Sequence, residues 1–280
     1  MSGHAARSVT LFHCSDLHFG HPAVPEQYEA IERLIQERKY DVVAISGDVS
    51  QRARAGEFQR ARAFIKDAEQ VSRVIVVPGN HDVSWWKAPL GFGNEDAIYE
   101  KYRAYISPDI EPVLQVPGAI LVGLNTSQGV IRETLTWNVR DISIIGHLRD
   151  TQLEKLRGEL AGAPEGDARV VVMHHNPVKG ELSQRHGLKH TQRILGKFAE
   201  YGVDLVLCGH DHQEAVHYIE HTKRGTVIST AGTMSNRSRG GRPSSVNSIR
   251  ITPDQVEVST LVWSDTESNF AAGPVKCFRR

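Results

Sequence analysis

Only three cysteines occur in 280 residues, at positions 14, 208 and 277. An odd number cannot pair off, and the spacing fits no zinc pattern. Cys14 and Cys208 also fall in apolar, strand-like runs. These features argue against a disulfide framework and suit a reducing compartment. Net charge is missing too: 33 basic residues balance 33 acidic ones. No overall basic field would draw the chain onto nucleic acid or anionic lipid, although a local basic groove stays open. No apolar run is long enough to span a membrane, and the opening MSGHAARSV lacks the apolar stretch of a signal peptide. The expectation is a cytoplasmic protein with no membrane partner. Walker loops, G-x-G-x-x-G, a serine nucleophile elbow and H-E-x-x-H are absent as well, which removes several common enzyme classes.

What remains is ordinary for a soluble enzyme, at 40% hydrophobic and 24% charged residues. The length allows one large α/β domain or two small ones. Short β-branched runs at Val9–Cys14, Asp41–Ser46, Arg73–Pro78, Ala119–Asn125, Ala168–His175 and Val203–His210 read as buried strands. Helical spacing separates them at Glu26–Lys39, Glu57–Ala68, Asn94–Ile106, Asp150–Gly158 and Thr191–Tyr201, the fourth opening on an Asp-Thr cap signal. After His212 four strand-like segments follow without helices, which predicts antiparallel pairing. Trp85 and Trp86 read as a packed lid or as a stacking face.

The ends of the apolar runs carry the chemistry. CSDLHFG supplies Asp16 and His18, ISGDVS supplies Asp48, and VPGNHD supplies Asn80 and His81. VVMHHNP adds His174 and His175, and LCGHDH adds His210 and His212. Carboxyl ends of strands in open α/β sheets converge on one crevice. In extended chain, residues i and i+2 share a face, so Asp-x-His and His-x-His could each grip one ion. Two carboxylates, one amide and several imidazoles without thiolate suit Mn, Fe, Co or Zn. The donors exceed the needs of one tetrahedral ion, which points to two ions ~3.5–4 Å apart. Two carboxylates offset only part of the charge of two divalent cations, so the centre should favour an anionic group such as phosphate.

In order, DLH, GDVS, GNHD, HHNP and GHDH resemble the motifs of the calcineurin-like metallophosphoesterase family, over His13 to about Asn247. The resemblance implies a four-layer α/β/β/α sandwich spanning residues 1–280 as one domain. It implies that Asp16, His18 and His212 hold one ion, that Asn80, His174 and His210 hold the other, and that Asp48 bridges both. His174 is preferred to His175 because the first histidine of the family's matching motif is usually the ligand; Asn176 stands where proline is common. His81 would assist the leaving group and Asp82 would orient His81. Arg52, His175, Arg237 and Arg239 are candidates for substrate binding, the last two within a stretch similar to one in bacterial cyclic-nucleotide phosphodiesterases. Pro78 and Asp82 depart from the protein serine/threonine phosphatase pattern. Residues 176–192 and 235–245 would form loops near the site. The implied activity is phosphodiester hydrolysis by a hydroxide held between the ions, on a cyclic nucleotide or another small diester. A nuclease and a non-catalytic interaction module are the alternatives, with nucleic acid a less favoured partner than a small molecule.

Overall fold

The computed structural model describes residues 7–21, 23–87, 95–129, 145–181, 187–221, 224–235 and 239–280; the side chains of Trp86, Glu95 and Arg239 lie outside the description. In chain order the strands are β1 (Val9–Cys14), β2 (Val42–Ile45), β3 (Arg73–Val76), β4 (Val113–Val116), β5 (Ala119–Leu124) and β6 (Ala168–His175). They continue as β7 (Leu205–Gly209), β8 (Ala215–Glu220), β9 (Gly225–Thr230), β10 (Ser245–Ile251), β11 (Gln255–Ser264) and β12 (Asn269–Arg279). The helices are α1 (Pro25–Arg38), α2 (Ala55–Glu69), α3 (Glu100–Tyr105), α4 (Asp150–Ala161) and α5 (Thr191–Glu200).

Two six-stranded mixed sheets result, ordered β12-β11-β10-β1-β2-β3 and β4-β5-β6-β7-β9-β8. Every residue of β2, β5 and β7 is buried. Continuous apolar strands of this kind need cover on both faces, and the layers supply it. Leu11, Val42, Ala44 and Ile75 of the first sheet share an inter-sheet core with Leu121, Val170, Val172 and Leu207 of the second. The alternate residues Phe12, Val43 and Ile45 face Ile31, Phe58 and Phe64 of α1 and α2. On the far side, Val122, Val171 and Val206 pack under Leu156, Ile194 and Phe198 of α4 and α5. The order is helix, sheet, sheet, helix, as expected. Each buried Leu or Ile contributes roughly 1.5–3 kcal/mol, so truncating Leu121 to Ala would cost about 2–5 kcal/mol.

Local expectations needed correction in four places. β9 pairs parallel with β7, so the region after His212 is not antiparallel throughout. β4 and β12 are strands the sequence does not announce: the first has only four residues, and the second is interrupted by Gly273 and Pro274. Helix α4 is preceded by Arg149 as cap residue, and Gln152 Oε1 accepts the Arg149 N–H at 2.8 Å, so the Asp-Thr pair is not the cap. The stretch at 95–106 is split into a 3-10 segment, Glu95–Tyr99, and the short α3.

β1, β2 and β3 run parallel in the first sheet, and β5, β6 and β7 in the second. The carboxyl ends of both sets carry the candidate ligands, at one end of the sandwich. No described helix is long and apolar enough to cross a membrane.

Candidate metal centre

The chain does not stay extended where the ligands sit. Asp16 (φ 51°), His18 (47°), Asp48 (51°), His210 (72°) and His212 (54°) all occupy the left-handed region. The idea of i and i+2 gripping from extended chain is therefore wrong for Asp16/His18 and His210/His212. Both pairs lie just past a strand end, where left-handed kinks aim the side chains. Non-glycine residues there cost on the order of 1–3 kcal/mol each and persist only where the surroundings hold them. Here they do. The Asp16 N–H donates to Gly47 O at 3.0 Å, the His18 N–H to Asp48 O at 2.9 Å, and the His210 N–H to Asp16 Oδ2 at 2.9 Å.

Glycines open three of the motifs because the strand ends press against each other. A Cβ on Gly79 would stand 2.1 Å from Asp48 Oδ1 and 2.2 Å from the Asp48 nitrogen. One on Gly209 would meet Ser15 Oγ at 1.9 Å and Asp16 Oδ2 at 2.3 Å, and one on Gly47 would meet His174 Nδ1 at 2.7 Å. Each glycine admits a ligand that belongs to another motif.

Seven predicted side chains come together as two linked groups. In one, Asn80 Oδ1 lies 3.1 Å from both His174 Nε2 and His210 Nδ1, which are 3.3 Å apart. In the other, His212 Nε2 lies 3.2 Å from both His18 Nε2 and Asp16 Oδ1. Asp48 Oδ2 connects them, 3.4 Å from His174 Nε2 and 3.8 Å from His18 Nε2. Around one ion with bonds of ~2.0–2.2 Å, ligand atoms stand ~2.8–3.6 Å apart in octahedral or tetrahedral geometry. Most of these spacings fall in that interval. Asp16 and Asp48 are essentially inaccessible to solvent. Buried carboxylates are costly unless a cation meets them. The donor set fits two divalent ions with nitrogen and oxygen ligands.

Burial pushes the imidazoles of His18 and His210 down to about 3, which leaves them neutral and able to bind metal. Burial also lowers His174, but Asp48 and Asp16 and the Ser46 carbonyl outweigh it and bring the group up to about 9. His174 Nδ1 meets Ser46 O at 2.9 Å, an arrangement that fixes Nδ1–H as donor and turns Nε2 inward. Burial alone would raise Asp48; His174 and His81 overcome it and hold the carboxyl well below its ordinary range.

His81 is half-buried beside the second group, its ring centroid 4.9 Å from that of His18. Its N–H donates to Asp48 Oδ1 at 2.8 Å, and its Nδ1 meets Gln51 O at 2.7 Å. The backbone carbonyl of Gln51, unforeseen from the sequence, thus orients the ring and leaves Nε2 outward. Asp82 does not orient it, contrary to expectation. The Asp82 carboxylate accepts the N–H groups of Gly79 (2.9 Å), Val49 (3.1 Å) and Ser50 (2.8 Å) and the Ser50 hydroxyl (2.8 Å). With its acceptors committed, it ties the loop after β3 to the loop after β2. Burial and the nearby Asp48 raise it to about 6.

Among the substrate-binding candidates, His175 is misplaced. It is 1% exposed, with Nδ1 2.8 Å from Thr126 Oγ1 and its ring against that of His210 (centroids 4.4 Å). It supports His210 from behind and has no surface for a substrate. Its ligand atoms lie near those of His174 and His210; His174 Nε2 is 3.1 Å from Asn80 Oδ1 and 3.4 Å from Asp48 Oδ2. Arg52 is exposed, with its backbone N–H on Glu57 Oε2 at 2.8 Å. Arg237 and the Arg239 side chain lie outside the described residues. Trp85 is 39% exposed and is no part of the core. The two expected loops meet beside His212. Arg242 holds Glu214 at 3.0 Å and Glu181 at 3.4 Å, joining residues from 176–192 to residues from 235–245.

Comparison with known proteins gives the family and the fold. The family model described as calcineurin-like phosphoesterase matches residues 9–214. A protein of Synechococcus named probable cyclic nucleotide phosphodiesterase is 25% identical over 238 residues, covering 84% of this chain and 81% of that protein. The Escherichia coli K12 protein named 3',5'-cyclic adenosine monophosphate phosphodiesterase CpdA is 27% identical over 197 residues, 68% of this chain and 61% of its own length. The fold matches the structure of PhoD with a TM-score of 0.70 at 13% identity, over 98% of this chain and 70% of that one. Purple acid phosphatase PPD1 from yellow lupin also gives 0.70, at 11% identity, over 98% and 54% of the two chains. With the family model covering most of its length and the five motifs in place, the chain belongs to the calcineurin-like phosphoesterase family.

Proposed function

We propose that this chain is a dinuclear phosphodiesterase acting on a small phosphodiester, with cyclic nucleotides the first class to test. Family membership makes it a metal-dependent phosphoester hydrolase; the diester preference and the substrate are our reading. The observation that carries it is the pair of ligand groups joined through Asp48 Oδ2. Asp16, His18 and His212 would hold one ion, and Asn80, His174 and His210 the other. Two divalent ions, when bound, would supply Lewis acidity toward phosphoryl oxygens and increase the acidity of bound water. With only two carboxylates among the seven side chains, the loaded centre keeps a positive charge that attracts an anionic ester. His81 would present Nε2 to the departing oxygen and donate its proton, while Gln51 O keeps Nδ1–H engaged. The ion-paired loops around Arg242 support a bounded site on the His212 side, suited to a small molecule. The names of the Synechococcus and Escherichia coli relatives support the cyclic-nucleotide class. The zero formal charge supports a small-molecule partner, and the absence of a long apolar helix among the described residues is consistent with a cytoplasmic location.

The test is a panel of phosphomonoesters, bis-p-nitrophenyl phosphate and cyclic nucleotides, assayed with Mn, Fe, Co and Zn. Diesters should turn over in a metal-dependent way, and Asp48→Ala should abolish that turnover. Metal-independent hydrolysis, or full activity in the variant, would contradict the reading.

A further inference from the structure

The loops that carry His18 and Asp48 also border a hollow of about 500 Å³ lined by Gly20, His21, Arg54, Gly56, Glu57 and Arg60. Helix α2 follows β2, so its first turn lies at the end of the sheet where Asp48 leaves it. Gly20 is two residues beyond His18, which limits their Cα separation to ~7 Å. A Cβ on Gly20 would sit 3.0 Å from both Gln51 Cβ and Glu57 Oε1. Gly20, which lines the hollow, therefore packs against Gln51, the residue whose carbonyl positions His81.

Its charge is unbalanced. His21, Arg54 and Arg60 are exposed, and none has an ion pair among the described residues. The one acid, Glu57, is buried and turns Oε2 to the backbone N–H groups of Arg52 (2.8 Å) and Arg54 (3.2 Å). Two guanidinium groups thus remain, with an imidazole beside them and one carboxylate already engaged by the backbone. Guanidinium groups bind phosphate through paired N–H donors.

We propose that this hollow is a subsite for a second phosphate group, carried on one arm of the phosphodiester being cleaved. The proposal rests on the phosphodiesterase reading above and, within it, selects a linear, terminally phosphorylated diester over a cyclic nucleotide, which carries no second phosphate. Arg54 and Arg60 bind the terminal phosphate and His21 adds a third donor; none of the three takes part in bond cleavage.

The experiment measures kcat/KM for the diadenosine dinucleotide ApA against its 5′-phosphorylated and 3′-phosphorylated forms, using metal-loaded protein. One of the phosphorylated forms should be preferred by about tenfold or more, in line with one or two charge-assisted hydrogen bonds. The Arg54→Gln/Arg60→Gln double variant should remove that preference and leave ApA turnover unchanged, which also shows that it is folded. Equal rates for all three dinucleotides in the unaltered protein would overturn the subsite, as would a preference that survives in the double variant. If no diester is hydrolysed, the functional reading fails and binding to metal-free protein decides the subsite. Tighter binding of a phosphorylated dinucleotide that is lost in the double variant upholds it; equal binding overturns it.

Discussion

Replacing Gly79 by Ala tests how tightly the strand ends are packed. The added methyl would lie 2.1 Å from Asp48 Oδ1, 2.2 Å from its nitrogen and 2.7 Å from its Cγ, where real Cβ contacts start near 3.0 Å. Two of the three obstacles belong to a side chain that cannot swing away. Asp48 Oδ1 is held by the His81 N–H at 2.8 Å, and Oδ2 faces both ligand groups. The third is backbone, so residues 48 and 79 must separate by on the order of 1 Å. Overpacking of this kind costs about 1–3 kcal/mol, toward the upper end where backbone blocks relief. A shift of that size in a positioned group costs roughly 10²-fold in rate. We expect Gly79→Ala to unfold cooperatively at a Tm lower by several degrees, to bind fewer than two metal ions per chain, and to lose about 100-fold in kcat. Elemental analysis, calorimetry and a diester assay read these three quantities. Gly158→Ala is the control, since a Cβ there meets nothing within 4 Å; as a helix-interior change it should leave metal content unchanged and add up to about 1 kcal/mol of stability. A Gly79→Ala protein with two ions and unchanged kcat would refute the packing argument.

Other expectations follow from the same contacts. His81→Ala should lower turnover of esters with alkyl leaving groups by about 10²–10³-fold and affect nitrophenyl esters far less, because only a poor leaving group needs the proton; equal losses would remove that role. Metal binding at pH 7.5 should release at least one proton per chain, because His174, whose folded value is about 9, must give one up to act as a ligand; titration calorimetry in buffers of different ionisation heat measures it. In metal-free protein the raised His174 value favours the fold fully below pH 6.5, and that contribution is lost as pH rises through about 9. Chelator-treated protein should therefore lose stability across that window, and His174→Gln should flatten the decline; a decline of equal slope in the variant would assign it to another group.

The four-layer order followed from the resemblance that the five motifs carry; the candidate ligands themselves stood out because polar, metal-binding residue types interrupt β-branched runs at strand ends. Residue types do not reveal backbone torsion, so the left-handed turns at Asp16, His18, Asp48, His210 and His212 were invisible. Neighbours in sequence misled twice. Asp82 follows His81 yet serves the backbone of two loops, while the ring is held by a carbonyl that carries no sequence signature. His175 follows His174, but strand residues alternate faces, and that period could have separated them: His174 meets Ser46 of the opposite sheet, and His175 meets Thr126. Nothing in GDVS, GNHD and GHDH alone explains their glycines; the reason, room for another motif's ligand, emerges only when the strand ends are assembled.

Crystals of metal-loaded protein, with anomalous scattering recorded at the absorption edge of the bound metal, test the dinuclear centre most directly. Two peaks are predicted per chain, one within bonding distance of Asp16, His18 and His212, the other of Asn80, His174 and His210, with Asp48 reaching both. A single peak under saturating metal, or peaks that leave Asp48 out, would contradict the account.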